Sequence, residues 1–239
     1  MHNIVANECL KLRRNKLLPV CSLIALILPL FMIAIDLVEK DSLVMTGTEW
    51  VYRLVVPIQV IVYPVLNGFV ITFLIQKEYA ERTIINTLTA PTNRGKFLLS
   101  KYLIWLLWSF VTTFSFLIIT FAGYLAIFGV PSFQHSLTEI TRVVLKTGLL
   151  SLFSMSPLLI ICILQKNIFY PSLLCSCLIS GIGFVGLYWP ANLRNLVPWS
   201  AVTSISLLDT NNYLPYASIF ICCLLGIFGG IAFFQHQNQ

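Results

Sequence analysis

Six apolar runs, each at least 18 residues long and free of charge, limit what this chain can fold into. They cover 17–35, 54–75, 102–128, 147–164, 168–189 and 214–234. A helix rising about 1.5 Å per residue needs roughly 20 residues to cross a hydrocarbon layer of about 30 Å. Only helices and closed barrels satisfy their backbone groups in such a layer, and runs of this length predict helices. Charged residues make up 10% of the 239, and the mean hydropathy is +0.87. A soluble domain carries about 25% charged residues, so the chain is expected to be an all-α integral membrane protein with one domain over 1–239. The run at 17–35 is followed by Asp36 and Glu39 rather than a small-residue cleavage site. It therefore reads as a retained first span and not a signal peptide.

The net charge of +6 has a topological source. With six spans, one side holds Lys11, Arg13, Arg14, Lys16, Lys77, Arg82, Arg94, Lys96, Lys101 and Lys166, ten cations in all. The other holds Lys40, Arg53, Arg142, Lys146 and Arg194, which is five. By the positive-inside rule both termini are expected in the cytoplasm, and no nucleic-acid partner is needed to explain the sign. Residues 1–16 place Met1, Val5, Cys9 and Leu12 on one helical face, with Asn3, Asn7, Lys11 and Arg14 opposite. That pattern suits an amphipathic elbow helix at the interface; the alternative is a charged flank that only sets topology.

The residues offer no catalytic machinery. Gly95-Lys96 lacks the upstream Gly and the following Ser or Thr of a phosphate-binding loop. His2, His135 and His236 have no acid or Cys beside them, and neither HExxH nor GxSxG occurs. The seven cysteines form no CxxC pair and read as packing residues, so neither a disulfide framework nor a metal site is expected.

The runs do contain neutral polar groups. Gln59, Tyr63 and Asn67 recur every four residues in the second run, beside Pro57 and Pro64. This stripe reads either as a pathway or subunit-interface face, or as ordinary interhelical hydrogen bonding. Ser172, Ser176 and Ser180, and likewise Cys222, Gly226 and Gly230, have the small-residue spacing that lets helices approach closely. The polar break at 165–167 predicts a tight hairpin between the fourth and fifth spans. Residues 190–213 are too apolar for a plain outer loop and suggest an interfacial or re-entrant segment. Leu196, Val197, Trp199, Val202, Ile205 and Leu207 are its candidates for burial in the outer headgroup zone.

The charged loop at 76–101 stands out. Ala80, Ile84 and Leu88 share a helical face, Ala90-Pro91 breaks the pattern, and a basic turn follows. The loop reads as a short helix across the cytoplasmic ends of the spans, suited to a partner's groove or to the membrane surface.

On these residues the chain resembles the permease subunits of type-2 ABC exporters. The resemblance lies in the elbow, the six spans and the motif E-x-x-x-x-T-I-x-N-x-L-x-x-P-x-x-R-x-x-F-L-L-S-K from Glu78 to Lys101. Within that family the loop is most similar to permeases of lantibiotic-immunity and bacitracin-resistance transporters. The resemblance implies a multi-pass protein of the bacterial plasma membrane that pairs with a second permease, identical or related. It also implies a dimer of cytoplasmic ABC ATPases, which would bind the ATP and Mg that this chain does not. Glu78, Glu81, Arg82, Thr83, Ile84 and Leu88 would be the coupling residues. The implied cargo is a hydrophobic or amphipathic antimicrobial peptide. Export of a drug, ion or toxin, and sequestration of a peptide without transport, stay open as alternatives.

Overall fold

The computed structural model describes residues 16–40, 44–80, 94–165, 168–210 and 212–236. Among these are six helices long and apolar enough to cross a membrane, one for each expected run. No strand occurs among the described residues.

The first span is α1, Leu17–Val38. Its buried residues Cys21, Ala25, Pro29, Ile33 and Asp36 form a narrow stripe, while Leu23, Ile27 and Phe31 face outward. The second comprises α2 (Gly47–Val55), a π-helical segment (Val56–Val62) and α3 (Tyr63–Ala80). It begins seven residues before the apolar run, because a capping box starts it early. Thr46 Oγ1 accepts from the Glu49 N–H at 3.4 Å, and Glu49 Oε2 accepts from the Thr46 N–H at 2.8 Å.

The third span is α4, Arg94–Phe128. It meets α5 (Val130–Ser154) at Gly129, whose φ of 81° lies in the region glycine tolerates best. The fourth span thus starts at Val130, well before the apolar run at 147, because its first turns carry Glu139, Arg142 and Lys146 on a continuous helix. Its core breaks at Met155–Pro157 before resuming as α6, Leu158–Leu164. Pro157 has no N–H to continue the ladder. The carbonyl of Ser154 instead accepts from Trp199 Nε1 at 2.9 Å and from Cys222 Sγ at 3.4 Å.

The fifth span is α7, Tyr170–Val185, and the sixth is α10, Leu214–His236. Two short helices lie between them, α8 (Ala191–Leu196) and α9 (Pro198–Ser206). Every residue from Ser200 to Ser206 is buried, and α9 packs against α5, α7 and α10. Val202 and Ile205 are therefore covered by protein, with Ala201 and Ile219, and not by headgroups. Trp199 braces the break in the fourth span, whereas Leu196 stays exposed. The hydroxyls of α9 turn inward and bond locally: Thr203 to the Ser200 carbonyl at 2.8 Å, Ser206 to the Val202 carbonyl at 2.7 Å, and Ser204 to Asn195 Oδ1 at 2.5 Å.

Both small-residue columns are packing surfaces. Ser172, Ser176 and Ser180 are buried against the second span, where a Cβ on Gly68 would come within 2.2 Å of Ser176 Cβ. A Cβ on Gly226 would meet the Ser156–Pro157 backbone at 2.4–2.6 Å, so α10 sits directly on the break. Two apolar clusters complete the bundle. One, around Trp105, Leu74, Met155 and Phe234, lies toward the end that leads into residues 81–93. The other, around Trp50, Leu54, Phe116 and Tyr124, lies toward the opposite end, and Leu66 packs on both.

Candidate functional site

The second span buries two glutamines, Gln59 and Gln76, as well as Asn67, Thr72 and Glu78. Pro64 supplies no N–H to the carbonyl four residues back, that of Val60. Around it the backbone widens into the π segment, where the Tyr63 N–H donates to the Ile58 carbonyl. Ser180 Oγ from α7 fills the gap, donating to the Ile61 carbonyl at 2.9 Å and lying 3.4 Å from that of Val60.

Around the wider turn the residues of the expected Gln59–Tyr63–Asn67 stripe bond to different helices, Asn67 through its main-chain carbonyl. Gln59 Nε2 donates to the Val144 carbonyl of α5 at 3.1 Å. Tyr63 Oη donates to the Ala25 carbonyl of α1 at 3.1 Å. The Asn67 carbonyl accepts from Trp105 Nε1 of α4 at 3.0 Å. All three residues are buried, and they join the second span to three different helices. A cavity of about 20 Å³, lined by Gln59, Ser151, Ser154 and Thr203 among others, lies beside the π segment. That is space for one water molecule.

Nearer the 81–93 end, a second polar group holds α3 to the hairpin of the fourth and fifth spans. Gln76 Nε2 donates to the Cys162 carbonyl at 2.6 Å, and Thr72 Oγ1 donates to Ser172 Oγ at 2.7 Å. Gln165 clamps the hairpin: its Oε1 accepts from the Ser172 N–H and its Nε2 donates to Ser172 Oγ, both at 2.9 Å. Gln165 belongs to the polar break visible in the sequence. Thr72 lies inside the apolar run and Gln76 one residue beyond it, and their i, i+4 spacing places them on one helical face.

Where the second and third spans run into 81–93, Glu78 and Lys101 meet. Their Oε1 and Nζ atoms are 2.6 Å apart, and each residue is 3% exposed. Lys101 Nζ also lies 5.2 Å from the centre of the Phe97 ring, which stacks on Phe234 of α10 at 6.2 Å. In the sequence the two residues open and close the family motif, with Lys101 also counted among the ten cations; the structure joins them. Glu81, Arg82, Thr83, Ile84 and Leu88 lie outside the described residues, as does the elbow helix expected before Lys16.

The opposite end has its own ion pairs. Asp36 is 1% exposed, accepts from Trp50 Nε1 at 2.8 Å and lies 3.2 Å from an Arg53 amine. Asp209 pairs with Arg142 and, at 3.8 Å, with Lys146, tying the segment after α9 to α5. The six described cysteines are free thiols. The arrangement is one of buried polar ties between helices, irregular turns at the π segment and at Met155–Pro157, and an ion pair where two span ends lead into 81–93.

Residues 4–185 match the family model described as ABC-2 family transporter protein. The chain is also similar to the bacitracin transport permease protein BCRB of Bacillus licheniformis, with 27% identity over 182 residues. That alignment covers 71% of this chain and 82% of the relative.

Proposed function

Since the chain belongs to the ABC-2 family of transporter membrane proteins, we propose that it is the permease subunit of an exporter driven by separate ATPase subunits and expelling a lantibiotic-type antimicrobial peptide. The family match over 4–185, which includes both stems of the 76–101 loop, carries the reading. The protein is a multi-pass component of the bacterial plasma membrane. Both termini and the 76–101 loop lie in the cytoplasm, in keeping with ten cations on that side against five on the other. Two ABC ATPases dock there, bind ATP and Mg, and move the spans. Glu81, Arg82, Thr83, Ile84 and Leu88 contact them, and a second permease completes the dimer. An antimicrobial peptide is favoured as cargo because one relative is named for transport of bacitracin.

The test is survival. Cells producing the chain with its ATPase are challenged with a panel of lantibiotics and with bacitracin. The expected result is higher survival against at least one peptide, lost when the ATPase's nucleotide site is disabled. Unchanged survival against the whole panel would refute the cargo assignment. Protection that persists without ATP turnover would refute export and favour sequestration.

A further inference from the structure

We propose that the Glu78–Lys101 ion pair is a clamp that fixes the two stems of the 81–93 connection to one another and to the last span, and that Glu78 acts as a positioning residue through Lys101. This rests on the permease reading above and adds a role for a buried pair within it.

The geometry carries the inference. Glu78 stands in the last turn of α3 and Lys101 in the second turn of α4, so their contact closes the base of the loop. The contact is 2.6 Å and both residues are 3% exposed. Little of the carboxylate is left on the surface for a docking protein. The clamp extends further: Lys101 lies over Phe97, Phe97 stacks on Phe234, and Leu98 and Phe234 belong to the apolar cluster that holds Leu74 and Trp105. A push on residues 81–93 therefore meets a rigid base joining the second, third and sixth spans. Loss of one partner would take a counter-charge at 2.6 Å from a buried ion and loosen the stems. An exposed docking contact would be indifferent to the identity of its neighbour at 101; a clamp requires opposite charges at 78 and 101 but not a particular order.

The experiment uses the full complex of permease and ATPase in proteoliposomes. Its variants are Glu78→Gln, Glu78→Lys, Lys101→Glu and the exchanged pair Glu78→Lys with Lys101→Glu. Glu78→Gln keeps a hydrogen-bond acceptor for Lys101, so it serves as the folded single variant. Co-purification of the ATPase and its cargo-stimulated turnover are measured separately. The clamp predicts that Glu78→Gln keeps the ATPase at wild-type ratio and lowers stimulated turnover about tenfold. The exchanged pair should restore it to within about threefold, although each charge reversal alone does not. Wild-type turnover in Glu78→Gln would overturn the proposal, as would an exchanged pair that assembles but stays as impaired as the single variants. Loss of the ATPase from Glu78→Gln would also overturn it, because Glu78 would then be a docking contact. If no ATPase accompanies the wild-type chain, the permease reading itself fails, a result distinct from all of these.

Discussion

Asp36 sits at the end of an apolar helix, where an unpaired buried carboxylate would be costly. Its two partners lie on the next helix, the Trp50 indole and the Arg53 guanidinium. Asp36→Ala would leave the fully buried Trp50 N–H without its acceptor, which costs about 1–3 kcal/mol. Asp36→Asn keeps an acceptor and should cost less. Thermal unfolding in detergent would rank wild type above Asn above Ala; equal midpoints would remove the pair from the account. Glycines give a sharper contrast at the same scale. A Cβ on Gly181 meets nothing within 4 Å, whereas one on Gly226 meets backbone at 2.4 Å. Gly181→Ala is expected to be neutral or stabilising by up to about 1 kcal/mol, since alanine is the better helix former. Gly226→Ala is expected to lower the midpoint or the yield of folded protein. The reverse order would mean that α10 does not rest on the break at Met155–Pro157.

Individual spans show how much a sequence of this kind discloses. Six runs announced six helices, because hydrocarbon forces every apolar stretch of that length into one. Their ends were less legible. The second and fourth helices continue past the apolar runs into charged turns, and charge is what marked the limit of each run. Thr46 and Glu49 did spell out a capping box three residues apart, which would have corrected the start of the second span. The π segment could not be read: Pro57 and Pro64 signalled a disturbance, but its form depends on Ser180, more than a hundred residues away. The helix α9 is legible only in part: Val202 and Ile205 read as headgroup contacts, and neighbouring helices cover them. Ser180→Ala tests the link between the fifth and second spans. It leaves the Ile61 carbonyl without that donor and should cost about 1 kcal/mol. A melt indistinguishable from wild type would mean that another donor satisfies the widened turn.

At the scale of the molecule, the sequence singled out the charged loop at 76–101, and the structure shows an ion pair at its base. Glu78 and Lys101 are 23 residues apart, and nothing in their spacing announces a pair. Gln59, Tyr63 and Asn67 share a face in a regular helix; across the π segment the Gln59 and Tyr63 side chains reach different helices, and Asn67 bonds a third through its main-chain carbonyl. Cargo contacts have no spacing signature in an apolar bundle and stay with the proposal. The proposed orientation rests on the cation count and is testable on its own. A reporter active only in the cytoplasm should work when fused at either terminus and fail when inserted near position 211. Activity at 211 and silence at the termini would invert the topology.

In the proposed function a separate ATPase moves this protein through the loop at 78–88. The most direct measurement is co-purification of a nucleotide-binding ATPase with the tagged chain, repeated with Glu81→Lys combined with Arg82→Glu. A stoichiometric ATPase is expected on the wild-type chain and its loss from the double variant, with the permease still folded in the membrane. A double variant that retains the ATPase with unchanged turnover would contradict it.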